Sequence, residues 1–199
     1  MTKKEVRKKL YWDEIKKGRS PFVFNMYKLA NYNTKKYLDK IVEFLGLESL
    51  PHIYLFPSSY YIDNAPTFGL TQTFTIPQLH VGALELKTKY TKYTTVDMAN
   101  GYFIDIRLIM GSMIKYTNDH RAFMDIVFVD FLVHELVHFK QALHNSLVSS
   151  VNIDTNERDA NYNIMDSEVE ARKLSGEFLI KHTDFDKDLV ELVMKDCNY

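Results

Sequence analysis

The sequence predicts an α+β domain, on three observations. A helical period runs through the first 46 residues. A period of two fills the middle, from about residue 53 to 109. A long segment that is apolar nearly all round then follows, ahead of two closing helices. Helices gathered at the ends of a strand block favour a mixed or antiparallel sheet over a doubly wound parallel one. The 199 residues are the size of one domain, so 1–199 reads as a single unit, with 1–20 as a basic helical extension.

Residues 3–18 read as a short amphipathic helix stopped by Gly18 and Ser20-Pro21. A second helix spans 24–46. Met26, Leu29, Ala30, Tyr37, Ile41, Phe44 and Leu45 form its apolar stripe, and Gly46 ends it. Ile53 and Leu55 lie in a short strand before Pro57. In 67–76, Phe68, Leu70, Phe74 and Ile76 alternate with Gly69, Thr71, Thr73 and Thr75. Residues 78–86 and 89–98 read as further strands. Asn100-Gly101 predicts a hairpin turn into the strand Tyr102–Ile109, with Ile104, Ile106 and Leu108 on one face. Asn118-Asp119 is the expected N-cap of the long segment 120–144, which should be a central buried helix. Residues 145–165, rich in Asn, Ser and Asp, read as loop. Helices are expected over 166–182 and 184–196.

Composition narrows the function. Apolar residues make up 46% of the chain and charged residues 26%, which supports a full core and argues against disorder. A net charge of −1 disfavours a nucleic-acid binder that blankets phosphates. The Tyr and Phe residues are spread along the chain, as packing residues are. The single cysteine, Cys197, excludes an internal disulfide framework and a Cys-based zinc knuckle. The basic N-terminus lacks the apolar run of a signal peptide, because Asp13, Glu14, Lys16 and Lys17 interrupt it. No stretch reaches the roughly 18–20 apolar residues of a spanning helix. The expectation is a cytoplasmic protein with no membrane partner. Eight Lys/Arg against three Asp/Glu in 1–19, and twelve Asp/Glu against six Lys/Arg in 154–199, read as one solvated basic and one solvated acidic face.

The chemistry lies in His134-Glu135-Leu136-Val137-His138, an H-E-x-x-H motif. On a helix the two histidines are one turn apart and about 40° offset, so both imidazoles can reach one ion. Glu135 lies on the flank of that face, where it can accept a proton from an activated water. Two histidines and a glutamate in a buried helix are costly without a partner. Zn²⁺ suits such a site. It takes His nitrogen and carboxylate oxygen in a tetrahedron, and a catalytic site keeps one position for water, whose pKa falls to roughly 7.

A third ligand is needed, and Asp166-Ser167-Glu168-Val169-Glu170-Ala171-Arg172 opens the next predicted helix. Here the sequence resembles the gluzincin peptidases, thermolysin-like enzymes among them. In those families an H-E-x-x-H helix is followed by a helix whose Glu, in an E-x-x-A setting, completes the zinc site. The run H-E-x-x-H-x-x-Q followed by E-x-E-A also looks like that of small phage-encoded zinc peptidases. The likeness covers about residues 120–180. It implies a zincin-like fold, Glu168 as third ligand and Glu135 as general base. An Asp or Asn often follows the Ala in these families and orients a ligand histidine. Arg172 stands there instead, which leaves Asp130 or Asp166 to orient the ligands. Glu170 is an alternative ligand to Glu168, since two residues so spaced on a helix cannot both face the ion. His144 is another. His134–His144 has metzincin spacing, with Met165 as a Met-turn, but Gln141 stands where that pattern needs Gly to end the helix.

The expected function is therefore a zinc metallopeptidase acting on a polypeptide substrate. A non-catalytic zincin-fold binding or virion protein is the alternative of another class. Tyr162 and His182 are candidates to stabilise the oxyanion. By the resemblance, Tyr102–Ile109 is the strand beside the cleft. His52, His80 and His120 read as ordinary histidines, and Cys197 has no role. A chain rich in Lys, Asn and Tyr fits an AT-rich genome such as a phage's, which would place it in the host cytoplasm.

Overall fold

The computed structural model describes residues 21–62, 65–74, 84–86, 103–118, 120–144, 151–152, 157–158 and 165–196. Among these residues the architecture is mixed α+β, with five helices and a small mixed sheet. The expected helix over 3–18, the strand over 89–98 and the Asn100-Gly101 turn lie outside the described residues, as do Tyr162, His80 and Cys197. So does most of 78–86.

Helix α1 (Pro21–Leu45) starts on proline, whose fixed φ and missing N–H suit a first helical position. Met26, Leu29, Ala30, Tyr37, Leu38, Ile41 and Leu45 are buried along it, close to the stripe the sequence predicts. It ends in a Schellman motif. Gly46 takes φ +64°, its N–H donates to the Glu43 carbonyl (3.2 Å), and the Leu47 N–H donates to the Val42 carbonyl (3.0 Å).

Strands β1 (His52–Phe56), β4 (Gly69–Phe74), β5 (Leu84–Glu85) and β6 (Phe103–Ile109) form the main sheet in the order β4-β6-β1-β5. The β1–β6 pair is parallel, and the β4–β6 and β1–β5 pairs are antiparallel. Short pairs β2 (Tyr60–Ile62) with β3 (Ala65–Thr67), and β7 (Val151–Asn152) with β8 (Glu157–Arg158), stand apart from it. Two expectations about β6 need correcting. Over residues 105–108 both of its hydrogen-bonding edges are occupied, by β1 and β4, so a hairpin with 89–98 cannot pair there. For the same reason β6 is not the exposed strand beside the cleft. Among the described strands, β4 holds the sheet edge beside the central helix.

A short helix α2 (Met110–Thr117) continues directly from β6, and the sequence did not signal it. Asn118, expected to cap the next helix, instead closes α2 in the left-handed region at φ 50°, a conformation Asn tolerates well. His120 is the N-cap of α3 (Arg121–Leu143). This helix is about 34 Å long and runs through the core. It touches β4, β6, α1, α2, α4 (Asp166–His182) and α5 (Lys187–Asp196). From Leu132 to Phe139 every side chain is buried. A helix enclosed on all sides can hold two histidines and a glutamate only if they are satisfied internally. Among the described residues, no helix is long and apolar enough to cross a membrane.

The start of α5 is tied back to α1 at Asp184. Lys36 Nζ lies 2.7 Å from Asp184 Oδ1 and 2.8 Å from Oδ2, and the fully buried Tyr37 donates its hydroxyl to Oδ1. Lys36 and then Tyr37 hold the Asp184 carboxyl down to about 2, from an ordinary value of 3.8. A carboxylate depressed in the folded state contributes stability above its unfolded pKa and loses it as pH falls through the folded one. The stability gap between the parent and Asp184→Asn should therefore be constant above about pH 5 and close toward pH 2. Urea unfolding of both proteins across that range checks this.

Candidate metal centre

The helical period brings His134 and His138 together on α3, where both are 6% exposed. Their Nε2 atoms lie 3.1 Å apart and their rings meet edge to face. The first turn of α4 supplies the third group. Glu168 is 3% exposed and its carboxylate straddles the two rings, with Oε2 3.5 Å from His134 Nε2 and Oε1 3.4 Å from His138 Nε2. Among the described residues, these three form the one cluster of His, Cys, Asp or Glu able to hold a metal ion, with ligand atoms within 4.8 Å of one another.

The donor set fits zinc. Two imidazole nitrogens and one carboxylate oxygen are the ligand types of a three-residue catalytic zinc site. Ligands about 2.05 Å from a tetrahedral centre are separated by about 3.3 Å, and the nearest approaches here are 3.1, 3.4 and 3.5 Å. Electrostatics point the same way. Burial opposes charge on His138, yet donation from its ring to the Glu168 carboxylate, with Glu135 nearby, carries its pKa up to about 9. Burial likewise opposes charge on Glu168, but the two histidines hold its carboxyl well below the usual range.

Glu135 meets β4. It is 3% exposed, and Thr71 Oγ1 donates to its Oε2 at 2.7 Å. The same hydroxyl lies 3.0 Å from the Glu135 backbone carbonyl. Two residues back on β4, Gly69 leaves the space the carboxylate occupies. A Cβ at 69 would lie 2.4 Å from Glu135 Oε1 and 2.7 Å from its Cγ. Burial pushes the Glu135 carboxyl up, and the two histidines and Thr71 partly restore its charge. A carboxylate raised by burial is a stronger base than one in water.

Gln141, 5% exposed, lies one turn after His138. Its Oε1 is 2.8 Å from His138 Nδ1, and its Nε2 donates to the Ser167 carbonyl (3.0 Å) and to Glu170 Oε2 (2.8 Å). Glu170 is thus turned to Gln141 and is not in the metal-binding group. His144 is not there either. The helix runs on through Gln141 to Leu143, and His144 is exposed at its end, with Nδ1 2.8 Å from the Lys140 carbonyl. Without a Gly the chain does not fold back, so the metzincin alternative loses its third ligand. Met165 is the N-cap of α4, its carbonyl accepting from the backbone N–H groups of Glu168 and Val169.

Neither expected orienting aspartate bonds His134, whose Nδ1 is buried with no hydrogen-bond partner among the described residues. Asp130 is fully buried on α3 and Asp166 is exposed at the start of α4. His182 stacks on Phe178 at the far end of α4, about 21 Å along the axis from Glu168, too far to serve the site. His52 pairs with Glu85 and His120 packs on Phe123, as ordinary histidines.

Gly69, Thr71 and Gln141 were not picked out from the sequence. Gln141 carried a signal, since it lies at i+3 from His138 and so shares its face. Gly69 and Thr71 carried none, being more than sixty residues from Glu135 and joined to it only by the packing of β4 on α3. Comparisons of the chain with protein-family models, with curated proteins and with solved structures return no match.

Proposed function

We propose that the chain is a zinc-dependent peptidase of the gluzincin type on a zincin-like fold. The observation that carries the reading is the convergence of His134, His138 and Glu168 beside a buried, hydrogen-bonded Glu135. Among the described residues three protein ligands converge, the number a catalytic zinc site uses, where a structural site takes four. When bound, zinc supplies a Lewis acid and a water acidified to a pKa of about 7.

The chain's own residues do the rest. His134 and His138 present Nε2 lone pairs, and Glu168 neutralises charge and closes the third position. Glu135 takes a proton from the attacking water and delivers it to the leaving amine nitrogen. Thr71 holds Oε2, and Gly69 leaves room for the rest of the carboxylate. No residue forms a covalent bond to the substrate. The edge of β4 beside Glu135 offers backbone groups to an extended polypeptide.

Metal content and cleavage test this together. Purified protein should hold one zinc per chain, and a chelator should remove it along with cleavage of unfolded casein. Added zinc should restore both. Zinc at a thousand times its Kd should raise the unfolding free energy by about 4 kcal/mol. Glu168→Ala should lose zinc, and Glu170→Ala and His144→Ala should keep it. A protein that refuses zinc when supplied, or cleaves equally without it, sinks the reading.

A further inference from the structure

We infer that Gln141 is the positioning residue of the metal centre: it fixes the tautomer of His138, locks the helix carrying Glu168 to the helix carrying the histidines, and so sets zinc affinity. This rests on the metal-binding part of the proposed function and not on peptidase activity.

The argument starts from the partners of the amide. A carboxamide is planar, with an acceptor oxygen at one end and an NH₂ of two donors at the other. The Ser167 carbonyl and the Glu170 carboxylate can only accept, and they lie 3.0 and 2.8 Å from the nitrogen of Gln141. They oblige the NH₂ to face α4, so the amide oxygen must face His138. An oxygen 2.8 Å from Nδ1 then requires Nδ1 to carry a proton. In the neutral ring, Nε2 keeps its lone pair and points at His134 and Glu168. That is the tautomer a metal needs, fixed by bonds at the other end of the side chain.

The same amide reaches across to α4. Ser167, whose carbonyl it holds, immediately precedes Glu168, so one buried side chain touches both ligand-bearing helices next to their ligands. Leu at 141 would fill the volume but leave the His138 Nδ1–H buried without its acceptor and release the start of α4. Glu at 141 keeps the acceptor but faces Glu170 with like charge. The double change Gln141→Glu with Glu170→Gln removes that repulsion and restores a carboxamide donor between the helices at position 170, while the Ser167 carbonyl loses its donor.

Zinc affinity of the metal-free full chain, measured by competition with a chromogenic chelator, tests the inference. Gln141→Leu should bind zinc about 10- to 100-fold more weakly than the parent, the range seen for outer-shell partners of metal histidines. Q141E/E170Q, which keeps an acceptor for His138 and one bond between the helices, should bind zinc more tightly than Gln141→Leu. In the zinc-loaded parent, long-range proton–nitrogen spectra should show His138 protonated on Nδ1 and metal-bound through Nε2, a readout that needs no variant if Gln141→Leu fails to fold. Equal zinc affinity in Gln141→Leu, or metal on Nδ1 of His138, overturns the inference and leaves the metal site standing. A parent that binds no zinc overturns both.

Discussion

Glu135→Gln is expected to keep its zinc and to cleave peptides about 10²- to 10⁴-fold more slowly, the range attributed to a positioned general base. The substitution is close to isosteric. The Gln oxygen can still accept from Thr71 Oγ1, and the seat beside Gly69 still fits the side chain. What disappears is the ability to accept a proton. None of the three proposed metal ligands is touched, so bound zinc per chain should not change. Stability should hold or rise slightly, because the lost charge is one that burial already disfavours. Metal analysis, thermal melting and the kcat/KM of a quenched-fluorescence peptide separate these effects. Parent-like cleavage by the variant would remove Glu135 from the mechanism. Lost cleavage together with lost zinc would show that it supports the site only structurally.

The parts of this fold that could be read from the sequence are those governed by local chemistry. The spacing of His134 and His138 is a helical period, and the same period marks the buried stripe of α1. Gly46 signals its helix end because few other residues adopt φ +64° without strain. Glu168 was reached through a family resemblance, and no spacing in this chain identifies it. The features that stayed hidden depend on long-range pairing. Asn100-Gly101 is a strong local turn signal, yet the partners of β6 are strands distant in sequence. Asn118 suits a helix start and a helix end equally, and only the unforeseen α2 decides between them. On α3 the apolar residues surround the axis, so periodicity alone does not say which partner a polar side chain meets. Asp130, expected to orient a ligand histidine, leaves the Nδ1 of His134 without a hydrogen bond among the described residues. In β4 the small and polar positions Gly69 and Thr71 face the central helix because Glu135 occupies that space. An alternation pattern records which residues share a face, and the partner decides what that face meets.

Gly69→Ala should reduce kcat/KM by about 10²-fold, approaching the loss from Glu135→Gln, although position 69 supplies no chemical group. The new Cβ would lie 2.4, 2.7 and 2.8 Å from Oε1, Cγ and Cδ of Glu135. Those distances are well inside contact, so the carboxylate has to leave its seat. Leaving it breaks the hydrogen bond from Thr71 and moves the base away from the water it deprotonates. Ala is otherwise at least as well suited to a strand as Gly, so the cost in stability is overpacking alone, about 1–3 kcal/mol. Zinc should remain, since Gly69 lies against Glu135 and not against a ligand. The decisive measurement is the double variant. If both changes act through the same carboxylate, Gly69→Ala in the Glu135→Gln background should cost almost nothing further in rate, and the two losses should be strongly non-additive. Glu135→Ala empties the seat, so Gly69→Ala should become nearly neutral for stability there. Losses that instead add in full would mean that Gly69 acts on something other than the base, with backbone pairing along β4 as the next contact to test.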